Sequence, residues 1–579
     1  MKGFFNKYLL IDLSSRRSEV YSIDDNILKN LLGGKGLASY LLSRYQPVGV
    51  DSLSPQNPFV IGLGPITDTA IFGSSRYGLY TKSPLTGFFC ESYSGGKVPE
   101  KISRTGFDCI VLVGRSDGLI YLEINDGDVR FHDSRDLAGK DCIETEKLLN
   151  ERHGKDKGAI VIGPAGERLI PFSIVSNDFW RCAGRAGAGT VMGAKNVKAI
   201  VFGGNAQRDV ADPVALREFA KETFQRCKDL PVTNAYKNKG TPMMVDLLNN
   251  ANAFPTRYWH KGFFDGYKNI NAEAMQTKME VKPHACARCF MACGKLSTVK
   301  EGEFKGLLIE GPEYETIYAF GGLCMIDDIT KIAYINDLCD RLGIDTITTG
   351  NLVALAMEAS DKGKIKDTYR YGSFDDALTL INDIANRRGI GEILSKGIKE
   401  ASKALSMESS AIHVKGLEPA GYDPRRLKGM SLAYATSDRG ACHLRSTFYK
   451  AELSGMIAPE VIEGKAELFI DFEDRLTLMD CLILCRFYRD FYQWDELGKI
   501  IHITTGMNLS KSDLKTIAKT VSSSIREYNI KEGMTEDDER IPQRLFDEPL
   551  EGVDDCIKRD EFDKLLKDYY SLKGWNCSK

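Results

Sequence analysis

Three cysteines crowd the segment HACARCFMACGK: Cys286, Cys289 and Cys293, separated by two and then three residues. Thiolates at this spacing can surround one small inorganic centre. A [4Fe–4S] cube takes four such ligands as a rule, so a fourth must come from elsewhere, and Cys485 in MDCLILCRFY is the candidate. Structural zinc also accepts four thiolates. Zinc sites usually pair two Cys-x2-Cys knuckles, and only one such pair is present; His284 stands too close in sequence to open a second. A radical cluster that binds S-adenosylmethionine has its three-residue gap first, the reverse of the order here. An iron–sulfur centre, a zinc site and a metal-free thiol group all stay open on spacing, which favours the first. The scattered cysteines, such as Cys109 and Cys142 in apolar surroundings, read as small buried hydrophobes.

The elements that must position these thiols divide along the chain. Residues 8–13, 107–113, 158–162 and 197–202 are short runs rich in β-branched side chains, bounded by turn residues. Residues 119–131 read as a hairpin turning at Asn125-Asp126-Gly127. A helix is expected over 26–43. From about 210 onward the periodicity becomes helical, over 329–342, 346–359, 375–387 and 473–489, with Asp327 or Asp328 capping the first and Gly343 ending it. The charged stretch 531–548 reads as an exposed connector or wrapping tail. The expected class is α+β, with segregated layers. A β-rich cofactor-cradling domain spans 1–208. A helical domain over 209–415 carries the cluster cysteines, and a helical domain over 416–579 carries Cys485.

Basic and acidic residues nearly balance, 77 against 80, which leaves no electrostatic footprint for nucleic acid or an anionic membrane. No signal-type leader and no apolar run of about 18 residues is evident, so a cytoplasmic protein without a membrane span is expected.

Several longer motifs resemble the aldehyde:ferredoxin oxidoreductase family, in one order over nearly the whole chain. They are LGGKGLASYLL (32–42), GLGPITDT (62–69), SSRYGLYTKSPLTG (74–87), RAGAGTVMGAKNVKAI (185–200), GPEYETIYAFG (311–321), DLCDRLGIDTITTG (337–350), GYDPRRLKG (421–429) and ATSDRGACHLRS (435–446). The resemblance implies a tungsten centre, occasionally molybdenum, held by the dithiolenes of two molybdopterin-type pterins. No protein side chain need bind the metal, in keeping with the lack of a two-His-one-carboxylate pattern. It also implies a [4Fe–4S] cluster on Cys286, Cys289, Cys293 and Cys485.

The resemblance further assigns residues. Asp340, Gly343 and Asp345 match the first pterin motif, where a carboxylate can take paired N–H bonds from the amino-pyrimidine edge. Read alone, Asp340 is a helix-end residue and Asp345 a helix cap. Asp480, Leu484 and Cys485 match the second pterin motif, which here departs from the family's pattern. Ile483 replaces the usual Gly, and a β-branched side chain disfavours positive φ. Arg76 matches the arginine between cluster and pterin. Tyr93 and Ala183 match the positions whose carbonyls bind a Mg2+ bridging the pterin phosphates. Gly184, with Gly95, Gly96, Gly187 and Gly189, would allow close backbone approach to phosphate. Glu313 and His443 match the catalytic pair, one of only seven histidines among them. His260 and Cys324 flank stretches expected near the pocket, whereas Tyr258 and Trp259 read as core.

The activity so implied is oxidation of a small aldehyde to a carboxylic acid. Glu313 takes the proton, His443 hydrogen-bonds the substrate, and electrons leave through the cluster to a ferredoxin or a ferredoxin-like iron–sulfur subunit. A homodimer or a heteromer is compatible with this. The competing readings are a ring-reducing or other non-aldehyde subunit of the same family and a non-catalytic iron–sulfur electron carrier. A simple carrier needs neither the two aspartate motifs nor Glu313 and His443.

Overall fold

A computed structural model describes residues 1–553 and 555–575. Two six-stranded sheets occupy the first 203 residues. The first runs in the order Arg17–Ser22, Lys7–Asp12, Cys109–Val113, Phe59–Gly62, Tyr77–Lys82, Phe89–Ser94. The second runs Arg181–Ala183, Val175–Asn177, Gly158–Val161, Val197–Gly203, Ile120–Asn125, Asp128–Asp133. Pairing is antiparallel except where Lys7–Asp12 meets Cys109–Val113 and where Val197–Gly203 meets Ile120–Asn125.

Side-chain alternation explains the packing. Leu9, Ile11, Phe59, Ile61, Ile110 and Leu112 from the first sheet share a core with Ile120, Leu122, Ile160, Ile200 and Phe202 from the second. The alternate residues Tyr8, Val60 and Val111 face outward onto helices, in a core that includes Leu37, Leu41, Leu478, Leu482 and Val521. Ala159, Val161, Ala199 and Val201 pack on the helix Cys142–His153. Both faces of the central strands are therefore covered, and Phe59–Gly62, Cys109–Val113 and Gly158–Val161 are continuous apolar runs, whereas the edge strands Arg17–Ser22 and Asp128–Asp133 stay largely exposed. The expected hairpin forms, its turn residues Asp126 and Gly127 both at positive φ.

Three expectations change. The helix expected over 26–43 is two helices, Asp25–Leu31 and Gly34–Tyr45, with Leu32 at φ 56° between them. The break brings Gly34 against the second aspartate motif: a Cβ there would stand 2.3 Å from the Asp480 carbonyl oxygen. The helix expected over 473–489 begins earlier and stops at Leu482, leaving Cys485 extended before a short turn at Arg486–Tyr488. The stretch 531–548 is not simply exposed. Glu532 pairs with Lys82, Arg544 bonds Glu358 at 2.8 Å, and Leu545 lies in the main helical core.

The helical remainder contains one sheet that periodicity does not announce. Met279–His284, Gly294–Val299 and Leu308–Glu310 pair antiparallel, with His284 opposite Gly294. The three clustered cysteines therefore sit in a hairpin loop. Among the described residues no helix is long and apolar enough to cross a membrane.

Candidate functional site

The hairpin loop is fastened to two distant segments by backbone bonds. Ala287 N–H donates to the Gly96 carbonyl at 3.0 Å, and the Arg288 carbonyl accepts from Gly73 N–H at 3.4 Å; the Gly73 carbonyl in turn accepts from Cys485 N–H at 2.9 Å. The Tyr488 hydroxyl lies 3.4 Å from the Cys289 sulfur, as a donor, and accepts from Phe290 N–H at 3.2 Å. Cys286, Cys289, Cys293 and Cys485 consequently line one cavity of about 330 Å³. Burial raises the thiols of Cys286 and Cys293 above their ordinary range and pushes Cys289 up to about 11. Gly95 is a close approach: a Cβ there would stand 2.8 Å from the Cys286 sulfur. No close group of three or more His, Cys, Asp or Glu suited to a single metal ion occurs among the described residues. The four cysteines line the wall of that cavity together.

A second chamber of about 380 Å³ adjoins the first, and Arg76, Tyr93, Cys182, Gly184, Arg185, Glu313, Glu315 and Cys485 line both. Asp340 walls the first chamber and Asp480 the second. Asp340 lies in the last turn of the helix Ile329–Leu342, which ends at Gly343 in the left-handed region. Its Oδ2 accepts from Asn336 at 2.8 Å, and the Cys182 sulfur lies 3.8 Å from Oδ1. Buried with no cation beside it, its carboxyl is held well above the usual range. Asp345 caps the helix Thr346–Asp361 through Ile347 N–H at 2.9 Å and accepts from Arg185 Nε at 3.0 Å. Its oxygens are thus committed to the fold.

Asp480 meets two guanidinium groups, Arg445 at 2.6 Å and Arg486. Arg445 also reaches Glu91 at 2.7 Å, and Glu91 in turn pairs with Lys35 at 3.2 Å. Three residues after Asp480, Ile483 adopts φ 56°, ψ 45°. The left-handed turn forms despite the β-branched side chain, because Gly34 leaves room for it: a Cβ on Gly34 would lie 2.7 Å from Ile483 Cδ1. Leu484 is buried, lines the second chamber and closes the turn through its N–H to Met479 at 2.7 Å.

The strand ending at Ala183 packs against the one carrying Tyr93. Gly184 faces open space, its nearest neighbour Cys182 Cβ at 3.9 Å from a built Cβ. Gly96, Gly187 and Gly189 are not on the cavity wall. At Gly187 and Gly189 a Cβ would strike the Pro171 and Ile174 carbonyls, so those two serve packing.

Glu313 bonds Thr241, and burial raises its carboxyl. Glu315, two residues on, faces His443, with Oε1 3.5 Å from Nε2. The other Glu315 oxygen accepts from Gly421 N–H at 3.0 Å. Burial lifts Glu315 to about 8. It pushes His443 well below its usual value, helped by Arg185, Arg439, Arg445 and Arg489. His443 stacks on Tyr422 at 5.3 Å. The segment after Glu315 runs into a π-helix at Ile317–Leu323, a form common at functional sites.

His260 and Cys324 lie off the cavity. His260 reaches Glu358 at 3.7 Å and Arg544, while Cys324 faces the Ala319 and Gly350 carbonyls. Tyr258 and Trp259 are core, as expected. Sequence reasoning missed Glu315, although EYET holds both glutamates. It also missed Arg445, two residues past His443, and the Arg181–Glu310 pair at 2.5 Å beside Cys286 and Cys293.

The wall fits a bulky anionic group. Buried polar atoms without hydrogen-bond partners include Arg185 Nη2, Arg445 Nε, Arg486 Nε and His443 Nδ1, and all belong to residues of the wall.

Comparison with known proteins agrees with this geometry. A family model described as the aldehyde ferredoxin oxidoreductase N-terminal domain matches residues 8–204, and one for domains 2 and 3 matches 218–578. A tungsten-containing aldehyde ferredoxin oxidoreductase of Pyrococcus furiosus is 33% identical, over 99% of this chain and 97% of the relative. The WOR-like subunit of an aliphatic sulfonate oxidoreductase from the same organism is 27% identical, over 82% of each. The active-site complex BamBC of benzoyl coenzyme A reductase, solved with 1,5-dienoyl-CoA, shares the fold. It has a TM-score of 0.86 at 22% identity and covers 100% of this chain and 95% of the other.

Proposed function

The chain belongs to the aldehyde ferredoxin oxidoreductase family, and from that premise we propose that it oxidises an aldehyde to a carboxylic acid at a tungsten bis-pterin centre. A [4Fe–4S] cluster, when bound, would supply the path by which electrons reach a ferredoxin. The observation that carries the reading is two adjoining chambers, with shared lining residues, walled by four cysteines, both aspartate motifs and the Glu315–His443 pair. The reaction adds one oxygen from water and releases two protons and two electrons: RCHO + H2O → RCOOH + 2H+ + 2e−. When bound, the tungsten centre supplies the two-electron acceptor and the cluster the one-electron exit.

Cys286, Cys289, Cys293 and Cys485 would hold the cluster, and Arg76, which lines both chambers, would meet the bound groups. Asp340 with Asn336, and Asp480 with Arg445 and Arg486, would hydrogen-bond the pterins. The Tyr93 and Ala183 carbonyls, with the open backbone at Gly184, would hold Mg2+ and the phosphates. Gly343, Asp345 and Leu484 shape the two turns.

Proton handling falls to Glu315 with His443. Glu315 carries the pair's proton at neutral pH, and the neutral imidazole hydrogen-bonds the substrate oxygen. Only the minor ionised fraction of Glu315, which grows as pH rises toward about 8, accepts the proton lost as the new C–O bond forms. Glu313, which also lines both chambers, is tied to Thr241, and its charge is felt at Cys293 and Lys295.

The test is aldehyde-dependent reduction of ferredoxin and of a viologen dye by anaerobically purified, tungsten-loaded protein. Turnover is expected with both acceptors; a loaded protein that reduces neither rejects the activity. Glu315→Gln should lower kcat by about 10²–10⁴ at unchanged tungsten content. Near wild-type turnover would remove the proposed base.

A further inference from the structure

One outer face of the molecule lies directly behind the cysteine cage. A cleft of about 840 Å³ is lined by Lys97, Lys101, Lys147, Lys155 and Lys157, with Ala287 at its inner edge. Ala287 follows Cys286 in the hairpin loop, and the wall between cage and cleft is little more than Gly95, Gly96 and Lys97. Cys286 lies on the inner side of that wall, 2.8 Å from where a Gly95 side chain would begin. The Gly96 carbonyl holds Ala287 N–H at 3.0 Å.

The charges in this cleft are unbalanced in a particular way. None of the five lysines makes an ion pair among the described residues; Lys157 bonds only the Asn125 side chain. Lys97, Lys147 and Lys155 are exposed, and Lys101 and Lys157 half-buried. The acids beside them are mostly committed. Asp178 accepts from Lys97 and Val98 N–H at 2.7 and 3.1 Å. Glu100 pairs with Arg288 at 3.1 Å. Burial pushes Glu146 up to about 8, so it is largely neutral near pH 7. Only Glu151 remains as an uncommitted acid among the lining residues. A solvated face normally interleaves both signs, whereas this one leaves lysine charge free beside Ala287, which lines both the cage and the cleft.

We propose that this lysine cleft is the docking surface for a small acidic iron–sulfur protein, which takes electrons from the cluster across the Gly95–Lys97 wall. The inference rests on the oxidoreductase reading above and deepens it by naming where the acceptor binds. Complementary charge steers encounter and fixes register, which suits a carrier that must bind briefly and leave.

The experiment compares an acidic ferredoxin with benzyl viologen as acceptor, using tungsten-loaded full-length enzyme and saturating aldehyde. In the wild type, kcat/KM for ferredoxin should fall steeply as salt rises, while the dye rate does not. In the double variant Lys147→Glu/Lys155→Glu it should drop by about tenfold or more at low salt, mostly through KM, with dye reduction within about twofold. A control pair on remote exposed loops, Lys305→Glu/Lys366→Glu, should leave ferredoxin kcat/KM within about twofold. An equal effect of both pairs would reduce the cleft to bulk charge and overturn the docking site. So would an unchanged ferredoxin rate in the cleft variant, or an equal fall in the dye rate. A wild-type enzyme that reduces neither acceptor would instead reject the aldehyde-oxidising reading, and the docking site with it.

Discussion

The two turns on opposite sides of the cavity share a backbone plan and differ in charge. Asp340 and Asp480 each lie in the last turn of a helix, and each helix ends three residues later in the left-handed region, at Gly343 (φ 77°, ψ 45°) and Ile483 (φ 56°, ψ 45°). Asp340 has an amide and a thiol for company, while Asp480 lies between two guanidinium groups. One turn presents a carboxyl held neutral by burial and the other a carboxylate inside an ion network. Gly343 needs glycine on two counts, its φ and the Gly163 N–H 2.9 Å from a built Cβ. At Ile483 the space is made across the contact, at Gly34, which opens the helix Gly34–Tyr45. Matched motifs therefore need not mean matched environments. Two pterins bound here would meet different charge, and so need not be electronically equivalent.

The comparison can be broken by removing each charge in turn. Asp480→Asn should cost about 3–5 kcal/mol of stability, because it leaves Arg445 and Arg486 buried against a neutral amide. Asp340→Asn should cost at most about 1 kcal/mol, since it replaces a neutral acid with a neutral amide. Urea unfolding of the two variants decides, and equal losses would erase the distinction.

The next contrast concerns the left-handed residues. Gly343→Val should cost about 2–4 kcal/mol, from strained φ and from contact with the Gly163 backbone. At Ile483→Gly, relief of about 1–2 kcal/mol of left-handed strain offsets part of the lost burial. Its loss should therefore be smaller than that of Gly343→Val, and the same unfolding curves test it. A larger loss would mean the turn stores no strain.

The mildest probe works between the turns, at Glu315. Its carboxyl is lifted to about 8, so the ionised base becomes more populated as pH rises toward that value. Accordingly kcat/KM should climb by about tenfold per pH unit below it and level off above. Glu315→Gln should flatten the profile. A profile that falls over this range would contradict the assigned protonation state.

Local spacing made the three clustered cysteines legible, because ligands of one centre supplied by one loop must lie close in sequence. The hairpin that carries them was not legible, since KPHACARCFMACGK has no strand-like alternation and lies in a helical half of the chain. Ile483 was legible as a departure from the family pattern, but local preference argued against the turn that forms. Tertiary space at Gly34, some 450 positions away, decided otherwise. Glu313 and Glu315 could not be separated by sequence. They are two residues apart, and only the fold turns one toward Thr241 and the other toward His443. Arg445 and Arg181 were missed for a similar reason: their partners Glu91 and Glu310 lie far off along the chain. The break at Leu32 escaped the helical periodicity because it is set by the approach of Gly34 to Asp480.

The central claim is that Cys485 completes a cluster cage beside a pterin-held metal, and metal analysis of anaerobically purified protein tests it most directly. The account predicts about one tungsten and about four iron atoms per chain in the wild type, with iron depleted in Cys485→Ser. Zinc in place of iron, or a full iron complement in Cys485→Ser, would contradict it.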